Sequence, residues 1–289
     1  MRLILLGATG YIGEEFCRQL NLGRNATFRV PHEEATFGKL SYAIEWWHTE
    51  LVINCAAFVT KPSVELCEDH KADCLLGNTV FPAQVAAACQ AADVPLLHVS
   101  TGCLYDDGGK EFGTPRMPPF KDSDPPMLTF DRGAGYYVGS KELAERLVRQ
   151  YEKTWICRVR LPFDQYDHPR NFLSKLLSFS KVLDTRNSMS HRGDFVKACL
   201  DLIELSAPFG TYNMTNPGAV WTHDICDRMN TAGMSKGFTY WEWDEFVQNI
   251  RRTPMSNAEL DVSKLLATGV KMRTVQEAIE DSINNWRTT

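Results

Sequence analysis

The stretch LILLGATGYIG, residues 3–13, joins a run of four aliphatic residues to three glycines that are spaced three residues apart. Four consecutive aliphatic side chains are typical of a strand that is buried on both faces of a parallel sheet. The residues from Tyr11 to Leu20 then carry apolar side chains at helical spacing. Glycines between such a strand and helix let the backbone approach a pyrophosphate, which the helix N-terminus binds. The stretch predicts a dinucleotide-binding turn that uses Gly7, Thr9, Gly10, Tyr11, Ile12 and Gly13.

The end of the second predicted strand, residues 27–30, indicates which dinucleotide is bound. An acidic residue there would bind the ribose 2′-hydroxyl of NAD, whereas a cation accommodates the 2′-phosphate of NADP. The chain has Arg29 and His32 at this point, ahead of Glu33 and Glu34. We therefore expect NADPH/NADP as the cofactor, with Arg29 among its ligands. The alternative, a solvated Arg29 at a sheet edge, stays open.

Short apolar runs alternate with helical patterns over the first 160 residues. The expected strands and helices are residues 2–6, 11–20, 27–30, 51–54, 78–92, 95–100, 136–151 and 155–161. This alternation predicts an α/β fold, a Rossmann-like doubly wound parallel sheet. A smaller C-terminal cap is expected, with the boundary between residues 1–162 and 163–289 and some segments returning to the first domain. The loop 104–135, rich in Gly, Pro and Asp, is long enough to be functional.

Composition narrows the class of protein further. The chain has 289 residues and a net charge of −5, which does not favour a nucleic-acid partner. Its nine cysteines are an odd number and include no C-x-x-C pair, so we expect reduced thiols and no metal site. We see no signal peptide, and no run of apolar residues is long enough to span a membrane. The sequence therefore predicts a cytoplasmic protein without a membrane partner.

Two further patterns carry chemistry. Tyr137 and Lys141 are four residues apart near the start of a predicted helix, so they share one face. A lysine ammonium beside a phenol favours the phenolate and makes the tyrosine a usable proton donor or acceptor. Thr101 follows the strand at 95–100, and the carboxyl end of a parallel strand is where ligands bind in this architecture. Together with the glycine turn, these residues indicate a dinucleotide-dependent enzyme.

With these motifs the sequence resembles the extended short-chain dehydrogenase/reductase family. The resemblance rests on GATGYIG, Asn54-Cys55-Ala56-Ala57, Thr101 and the Tyr137/Lys141 pair, in the family's order. Within that family it is similar to the bifunctional 3,5-epimerase/4-reductases of nucleotide-rhamnose synthesis. The segments behind this narrower resemblance are STGCLYD (100–106), RVRLPFDQYDHPRNFLSKL (158–176), KVLDTRNSM (181–189) and YNMTNPG (212–218).

The resemblance implies a reaction and a role for each matching residue. The substrate would be a UDP-linked 4-keto-6-deoxy-D-glucose, inverted at C3 and C5 and then reduced at C4 by NADPH to UDP-β-L-rhamnose. Tyr137 would protonate the C4 oxygen, Lys141 would assist it, and Thr101 would hydrogen-bond that oxygen. Cys103 and Lys175 would move the protons of the epimerisation.

The remaining site residues are implied in the same way. Beyond the glycine turn, the expected cofactor contacts are Arg29, Asn54, Ala56, Ala57, Thr101, Tyr137, Lys141, Leu161 and Pro162. The expected contacts to the nucleotide sugar, in residues 163–289 and in the preceding loop and helix, are Cys103, Tyr137, Asn171, Lys175, Val182, Asn187 and Ser188. A 4,6-dehydratase on a separate chain would supply the substrate, and a homodimer is expected.

Three other functions remain open from the sequence. One is a single-function reductase of a dTDP- or UDP-linked 4-keto-rhamnose, in which Cys103 is a buried thiol and Lys175 a solvated charge. A second is a synthase of the GDP-fucose type. The third is a non-catalytic NADP-binding regulatory subunit, against which the Tyr137/Lys141 pair and Thr101 argue.

Overall fold

A computed structural model describes most of the chain. The described residues are 1–20, 27–30 (backbone only), 36–60, 63–107, 118–235, 237–250 and 252–288. Contacts divide them into two compact units, each built from several segments. The first unit comprises Met1–Thr101, Thr129–Arg158 and Cys199–Tyr212. The second comprises Gly102–Leu128, Val159–Ala198 and Asn213–Thr289, so residues 102–128 join it from the first half of the chain.

A six-stranded sheet, with strands in the order β2-β1-β3-β4-β5-β7, is the framework of the first unit. Its strands are β1 (Leu3–Leu6), β2 (Thr27–Val30), β3 (Leu51–Asn54), β4 (Leu96–Thr101), β5 (Thr154–Val159) and β7 (Gly210–Asn213). The pairs β1–β2, β1–β3 and β3–β4 are parallel. Because β1 lies inside the sheet, both of its faces are covered and all four of its residues are buried. The sheet confirms the α/β, Rossmann-like expectation.

Helices join the strands of this unit. They are α1 (Tyr11–Gln19), α2 (Phe37–Trp46), α3 (Lys71–Leu75), α4 (Phe81–Ala91), α5 (Tyr136–Val148) and α7 (Arg192–Glu204), which begins in the second unit. One apolar core combines strand residues such as Ile4 and Val52 with α2 and the small residues of α4, including Ala88. Small side chains on α4 suit a helix that lies against a pleated sheet, because they let the backbones approach.

A π-helical segment, Leu76–Val80, separates α3 from α4 and differs from the continuous helix expected over 78–92. The cause is Pro82, at the start of α4. Proline has no N–H to donate to the carbonyl four residues earlier, so regular helical bonding cannot continue through this point. Segments of this kind are frequent at functional sites. Here it buries Asn78, whose amide bonds both the N–H and the carbonyl of Phe58.

The second unit has its own core and shorter elements. These are α6 (Phe172–Ser178), β6 (Arg186–Asn187), β8 (Val220–Trp221), α8 (Thr222–Thr231), α9 (Trp243–Asn249), α10 (Ser263–Ala267) and α11 (Val275–Asn284). Strands β6 and β8 pair antiparallel. Leu173, Val220, Ile225 and Ile279 are among the residues that pack in the core. Within the described residues, no helix has the length and apolarity needed to cross a bilayer.

Candidate active site

The turn between β1 and α1 is closed by contacts that only glycine permits. A Cβ on Gly13 would lie 2.0 Å from the Gly7 carbonyl oxygen, and Gly7 has a φ of +78°. A Cβ on Gly7 would itself lie 2.6 Å from the Ala56 nitrogen. The Gly10 amide donates to the Gly7 carbonyl at 3.0 Å, and no side chain caps α1. Thr9 and Gly10 are exposed while Tyr11 and Gly13 are buried and Ile12 is partly buried, so one side of the turn is open to a phosphate.

The segment after β3 forms the other wall of this turn. Asn54 is fully buried, and its side-chain oxygen accepts a 3.0 Å hydrogen bond from the Ala56 amide. Its amide nitrogen lies 3.3 Å from Nδ1 of His98, whose pKa burial holds well below its usual value. His98 is therefore neutral and can accept from Asn54. The Asn54 side chain thus shapes the loop, and the exposed Ala57 lies at its outer side.

The second strand, where Arg29 lies, is described as backbone only. The Arg29 side chain and His32 lie outside the described residues, so the preference for NADP over NAD stays a prediction at this position.

Tyr137, Lys141 and Thr101 are assembled in the first unit by two elements. Thr101 is the last residue of β4 and is buried, and Tyr137 lies in the first turn of α5. Lys141, one turn later, is 2% exposed and donates to the Val99 carbonyl of β4 at 3.0 Å. Burial lowers the pKa of Lys141 to about 8, against the opposing effect of the Glu145 carboxylate. A lysine in this state can change its charge near neutral pH.

A buried ion pair that the sequence analysis missed fixes α5 against the sheet. Glu145 accepts from Arg158 of β5 at 2.7 Å and from the Ser100 hydroxyl of β4 at 2.6 Å. Arg158 and Glu145 are 0% and 1% exposed. Losing one partner of such a pair leaves an uncompensated charge in the interior. The pair therefore holds the helix that carries Tyr137 in one position. No spacing in the sequence indicates it, because the partners come from different elements.

Cys103 and Lys175 both lie in the second unit. Lys175 is on α6 and is partly buried. Burial, followed by repulsion from Arg170, lowers the pKa of Lys175, whereas the negative form of Cys103 raises it. The thiol and the amine are therefore within electrostatic reach of each other. Cys103 itself is partly buried, between Gly102 and Leu104, which are both buried.

The residues expected next to the nicotinamide, Leu161 and Pro162, leave β5 in a strained turn. Leu161 has a φ of +39°, a backbone conformation that residues other than glycine rarely adopt. The Pro162 carbonyl accepts from the Phe172 amide at 3.0 Å, which anchors the start of α6. Strain of this kind is common where a backbone is held for function.

Asn171 caps the helix that carries Lys175. Its side-chain oxygen accepts from the Leu173 amide at 2.9 Å, as an N-cap does. Its amide nitrogen donates to the carbonyls of Asp164 and Tyr166, both at 2.8 Å. Asn171 is fully buried. In this arrangement the Asn171 side chain fixes the start of α6, and its contact with the nucleotide stays a prediction.

The other residues expected at the nucleotide, Val182, Asn187 and Ser188, are buried in the second unit. The Val182 amide and carbonyl pair with Thr239 and Trp241. The Ser188 hydroxyl donates to Gly218 at 2.9 Å and accepts from the Leu260 amide at 3.0 Å. Asn187 bonds to Arg160 and to the Ala258 amide. These contacts fix the backbone around the three residues, and their predicted role toward the nucleotide remains untested by the geometry.

Among the described residues there is no group of three or more His, Cys, Asp or Glu side chains arranged to hold a metal ion. The nine cysteines all lie in described segments, and no disulfide joins them.

Comparison with known proteins identifies the family. The model of the RmlD substrate binding domain matches residues 1–288. The bifunctional dTDP-4-dehydrorhamnose 3,5-epimerase/dTDP-4-dehydrorhamnose reductase of Arabidopsis thaliana is 29% identical over 234 residues, which are 79% of this chain and 74% of the relative. The chain spans 33% of the length of a second relative from Arabidopsis thaliana, which is named as a trifunctional UDP-glucose 4,6-dehydratase/UDP-4-keto-6-deoxy-D-glucose 3,5-epimerase/UDP-4-keto-L-rhamnose-reductase.

Solved structures show the same fold. A UDP-rhamnose synthase from Acanthamoeba polyphaga mimivirus has a TM-score of 0.88 at 19% identity, covering 99% of both chains. A dTDP-4-dehydrorhamnose reductase from Bacillus anthracis has a TM-score of 0.76 at 18% identity, covering 96% of both chains. The Bacillus structure was solved in complex with NADP. The resemblance to the extended short-chain dehydrogenases/reductases is confirmed, and the chain belongs to the RmlD substrate binding domain family.

Proposed function

We propose that this chain reduces the C4 ketone of a nucleotide-linked 4-keto-6-deoxy sugar with NADPH, and that it also inverts C3 and C5 beforehand. The reduction is supported by the buried Lys141, one helical turn after Tyr137 on α5, and by the relatives that carry reductase names. The epimerisation is supported by the interaction between Cys103 and Lys175. The preferred overall reaction converts UDP-4-keto-6-deoxy-D-glucose to UDP-β-L-rhamnose.

The reductive step needs a proton donor at the ketone oxygen. Bound NADPH would supply the hydride to C4. Tyr137 donates its phenolic proton to the C4 oxygen as the alcohol forms, and Thr101 donates a hydrogen bond to the same oxygen. The Lys141 ammonium stabilises the phenolate that forms when Tyr137 gives up its proton. The glycine turn fits a pyrophosphate because its Thr9–Gly10 side is exposed and no side chain caps the N-terminus of α1.

The epimerisation is a proton exchange next to a ketone. The Cys103 thiolate removes the proton from carbon, and the electron pair of the C–H bond passes into the enolate, with its charge on the C4 oxygen. The Lys175 ammonium then delivers a proton to the opposite face. Exchange with solvent resets both groups before the second centre is inverted. The lowered pKa of Lys175 makes its ammonium a better acid than a solvated lysine.

The remaining assignments are part of the same proposal. UDP is preferred to dTDP as the nucleotide, and a 4,6-dehydratase reaction outside residues 1–289 supplies the keto sugar. We propose that the protein works as a homodimer in the cytoplasm. Leu76 and Val80 on the π-helical segment and Leu147 on α5 are exposed apolar side chains that support the dimer.

One incubation in heavy water tests the function. Enzyme, NADPH and UDP-4-keto-6-deoxyglucose are mixed, NADPH consumption is followed by absorbance, and the sugar is examined by NMR. We expect NADPH consumption with deuterium at both C3 and C5 of rhamnose. Consumption only after a separate 3,5-epimerase is added identifies a single-function reductase. Binding of NADPH without turnover, whether or not the separate epimerase is added, contradicts the whole proposal.

A further inference from the structure

We propose that Arg160 is a positioning residue for Cys103: its buried guanidinium joins the segment that carries Cys103 to two other segments of the second unit. This inference rests on the proposed epimerisation. Arg160 follows β5 and is 1% exposed, which makes it one of the largest fully buried side chains. A charged side chain of this size is seldom buried completely unless its donors are used.

The donors of Arg160 reach three separate parts of the chain. Nη1 donates to the Gly102 carbonyl at 3.0 Å and to the Ser256 hydroxyl at 2.7 Å. Nη2 donates to the Ser256 carbonyl at 2.8 Å and to the side-chain oxygen of Asn187. The planar guanidinium has its donors in a fixed fork, so one side chain sets the relative positions of all these acceptors. Lysine cannot reproduce this pattern, because its donors surround a single nitrogen.

The segment that carries Cys103 is held on both sides by this arrangement. On the N-terminal side, the Gly102 carbonyl accepts directly from Arg160. On the C-terminal side, the Ser256 hydroxyl, which accepts from Arg160, donates to the Tyr105 carbonyl at 2.6 Å. The two anchors lie one residue before and two residues after the thiol. They leave the backbone of Cys103 little freedom to shift or rotate.

Packing at Gly102 reinforces the hydrogen bonds. A Cβ on Gly102 would lie 2.7 Å from Cδ1 of Leu260 and 3.1 Å from Cβ of Arg160. The backbone therefore passes directly against the Arg160 side chain, and a side chain at position 102 would require Leu260 to shift. The Gly102 amide also donates to the Val159 carbonyl at 2.8 Å.

This anchoring matters to the thiol more than to the fold as a whole. Proton transfer requires a donor–acceptor separation within hydrogen-bond reach, and a displacement of about 1 Å can lower a rate by about 100-fold. Substitution of a residue that only supports the core would lower stability and would slow epimerisation and reduction alike. Arg160 contacts the segment of the epimerisation thiol, so its loss should slow exchange at C3 and C5 and spare reduction.

Ser256→Ala is the first test, because it removes one hydroxyl from the middle of the network and leaves Arg160 in place. Two rates are measured for each variant. The first is deuterium incorporation at C3 and C5 of UDP-4-keto-6-deoxyglucose in heavy water without NADPH. The second is NADPH-dependent reduction of substrate already epimerised by a separate enzyme. We expect Ser256→Ala to lower the kcat of exchange about tenfold and Arg160→Lys about 100-fold. The reduction rate should change by less than about twofold, because a variant that disturbs only the exchange step keeps its transition-state stabilisation of the reduction.

Ser282→Ala is the matched control. The Ser282 hydroxyl is also buried in the second unit, but it bonds to the Ala278 carbonyl within α11. This variant should keep the wild-type ratio of exchange to reduction. If Arg160→Lys does not fold, Ser256→Ala still decides the matter.

The outcomes separate this inference from the proposed function. Wild-type enzyme that incorporates no deuterium overturns the epimerisation and the role of Arg160 together. Wild-type exchange that persists at full rate in Ser256→Ala and Arg160→Lys overturns the role of Arg160 alone. Equal losses of exchange and reduction also overturn it, because they indicate a general structural role.

Discussion

The two units place their candidate catalytic residues in different ways. In the first unit, Thr101 ends a strand and Tyr137 lies in the first turn of a helix, so regular secondary structure presents both side chains. In the second, Cys103 lies outside any helix or strand, and the segment around it is held by side chains distant in sequence, notably Arg160 and Ser256. A site on regular elements inherits the rigidity of the sheet. A site on a loop needs its own buried polar network.

The cores of the units reflect this difference. The core of the first unit is a continuous apolar cluster between strands and helices. Among the described residues, the first unit buries the amides of Asn54 and Asn78, and the second buries more of them, including Asn171, Asn187, Asn213 and Asn216. Asn213 donates to the carbonyls of Phe120 and Asp261. Buried amides that bond to backbone fix irregular segments, which have no ladder of their own to satisfy their polar groups.

The largest expected effect separates the two steps at Tyr137. Tyr137→Phe removes only the phenolic hydroxyl, so general acid catalysis of reduction is lost and the rate falls by about 10²–10⁴. Deuterium exchange at C3 and C5 should continue at close to the wild-type rate. Both rates are measured on the same preparation. A Tyr137→Phe enzyme that reduces normally would remove this residue from the mechanism.

The reverse separation is expected at Cys103. Cys103→Ser retains shape but loses the thiolate, and exchange should fall by about 10²–10³, within the range of general base catalysis. Reduction of pre-epimerised substrate should be nearly unchanged. Cys226→Ser, a buried cysteine on α8 of the same unit, is the control and should leave the ratio of the two rates unaltered. Full exchange activity in Cys103→Ser contradicts the assignment.

A substitution in the glycine turn tests whether NADPH binding by the first unit depends on the backbone geometry of this turn. Gly13→Ala places a Cβ 2.0 Å from the Gly7 carbonyl oxygen, so the turn must open. We expect NADPH affinity to fall at least tenfold, about 1.4 kcal/mol, measured by fluorescence titration. Gly38→Ala is the control, because its Cβ meets no atom within 4 Å in α2. That variant should bind NADPH normally and gain about 0.5–1 kcal/mol of stability. Equal affinities in the two variants would show that the cofactor does not use this turn.

The smallest effect concerns pH. The pKa of Lys141 is about 8, below that of a solvated lysine, so its ammonium is lost as pH rises through 8. Reduction should therefore decline about tenfold per pH unit at most above that value, while exchange does not follow Lys141. NMR of isotope-labelled lysine side chains should show a resonance that titrates near pH 8 and is absent from Lys141→Met. A normal lysine titration at that resonance contradicts the prediction.

The same titration has a defined effect on stability. Between about pH 8 and the ordinary value of 10.5, the unfolded chain holds a proton at Lys141 that the folded chain has released. Stability from this residue therefore rises with pH in that window. Loss of reduction above pH 8 would accordingly come from chemistry at Lys141, since unfolding driven by this residue has the opposite sign.

The alternation of strands and helices along the chain, the glycine turn and the Tyr137/Lys141 pair were predictable because each depends on neighbours within a few residues. A four-residue apolar run, a glycine spacing and an i,i+4 pair can all be recognised without knowing what packs against them. The start of α4 at Phe81 differs from the expected start at residue 78, because Pro82 has no N–H with which to continue regular helical bonding from the preceding turn.

What the sequence determined by itself was the alternation of strands and helices and the presence of a dinucleotide turn, because local periodicity and glycine geometry act at short range. Only the tertiary structure decided which buried charges support the site. Arg158 meets Glu145 across 13 positions, and Arg160 meets Ser256 across 96. These partners have no fixed spacing in the sequence. They pair because the fold brings them together in the interior, where buried donors must find acceptors, and local sequence patterns do not reveal either condition.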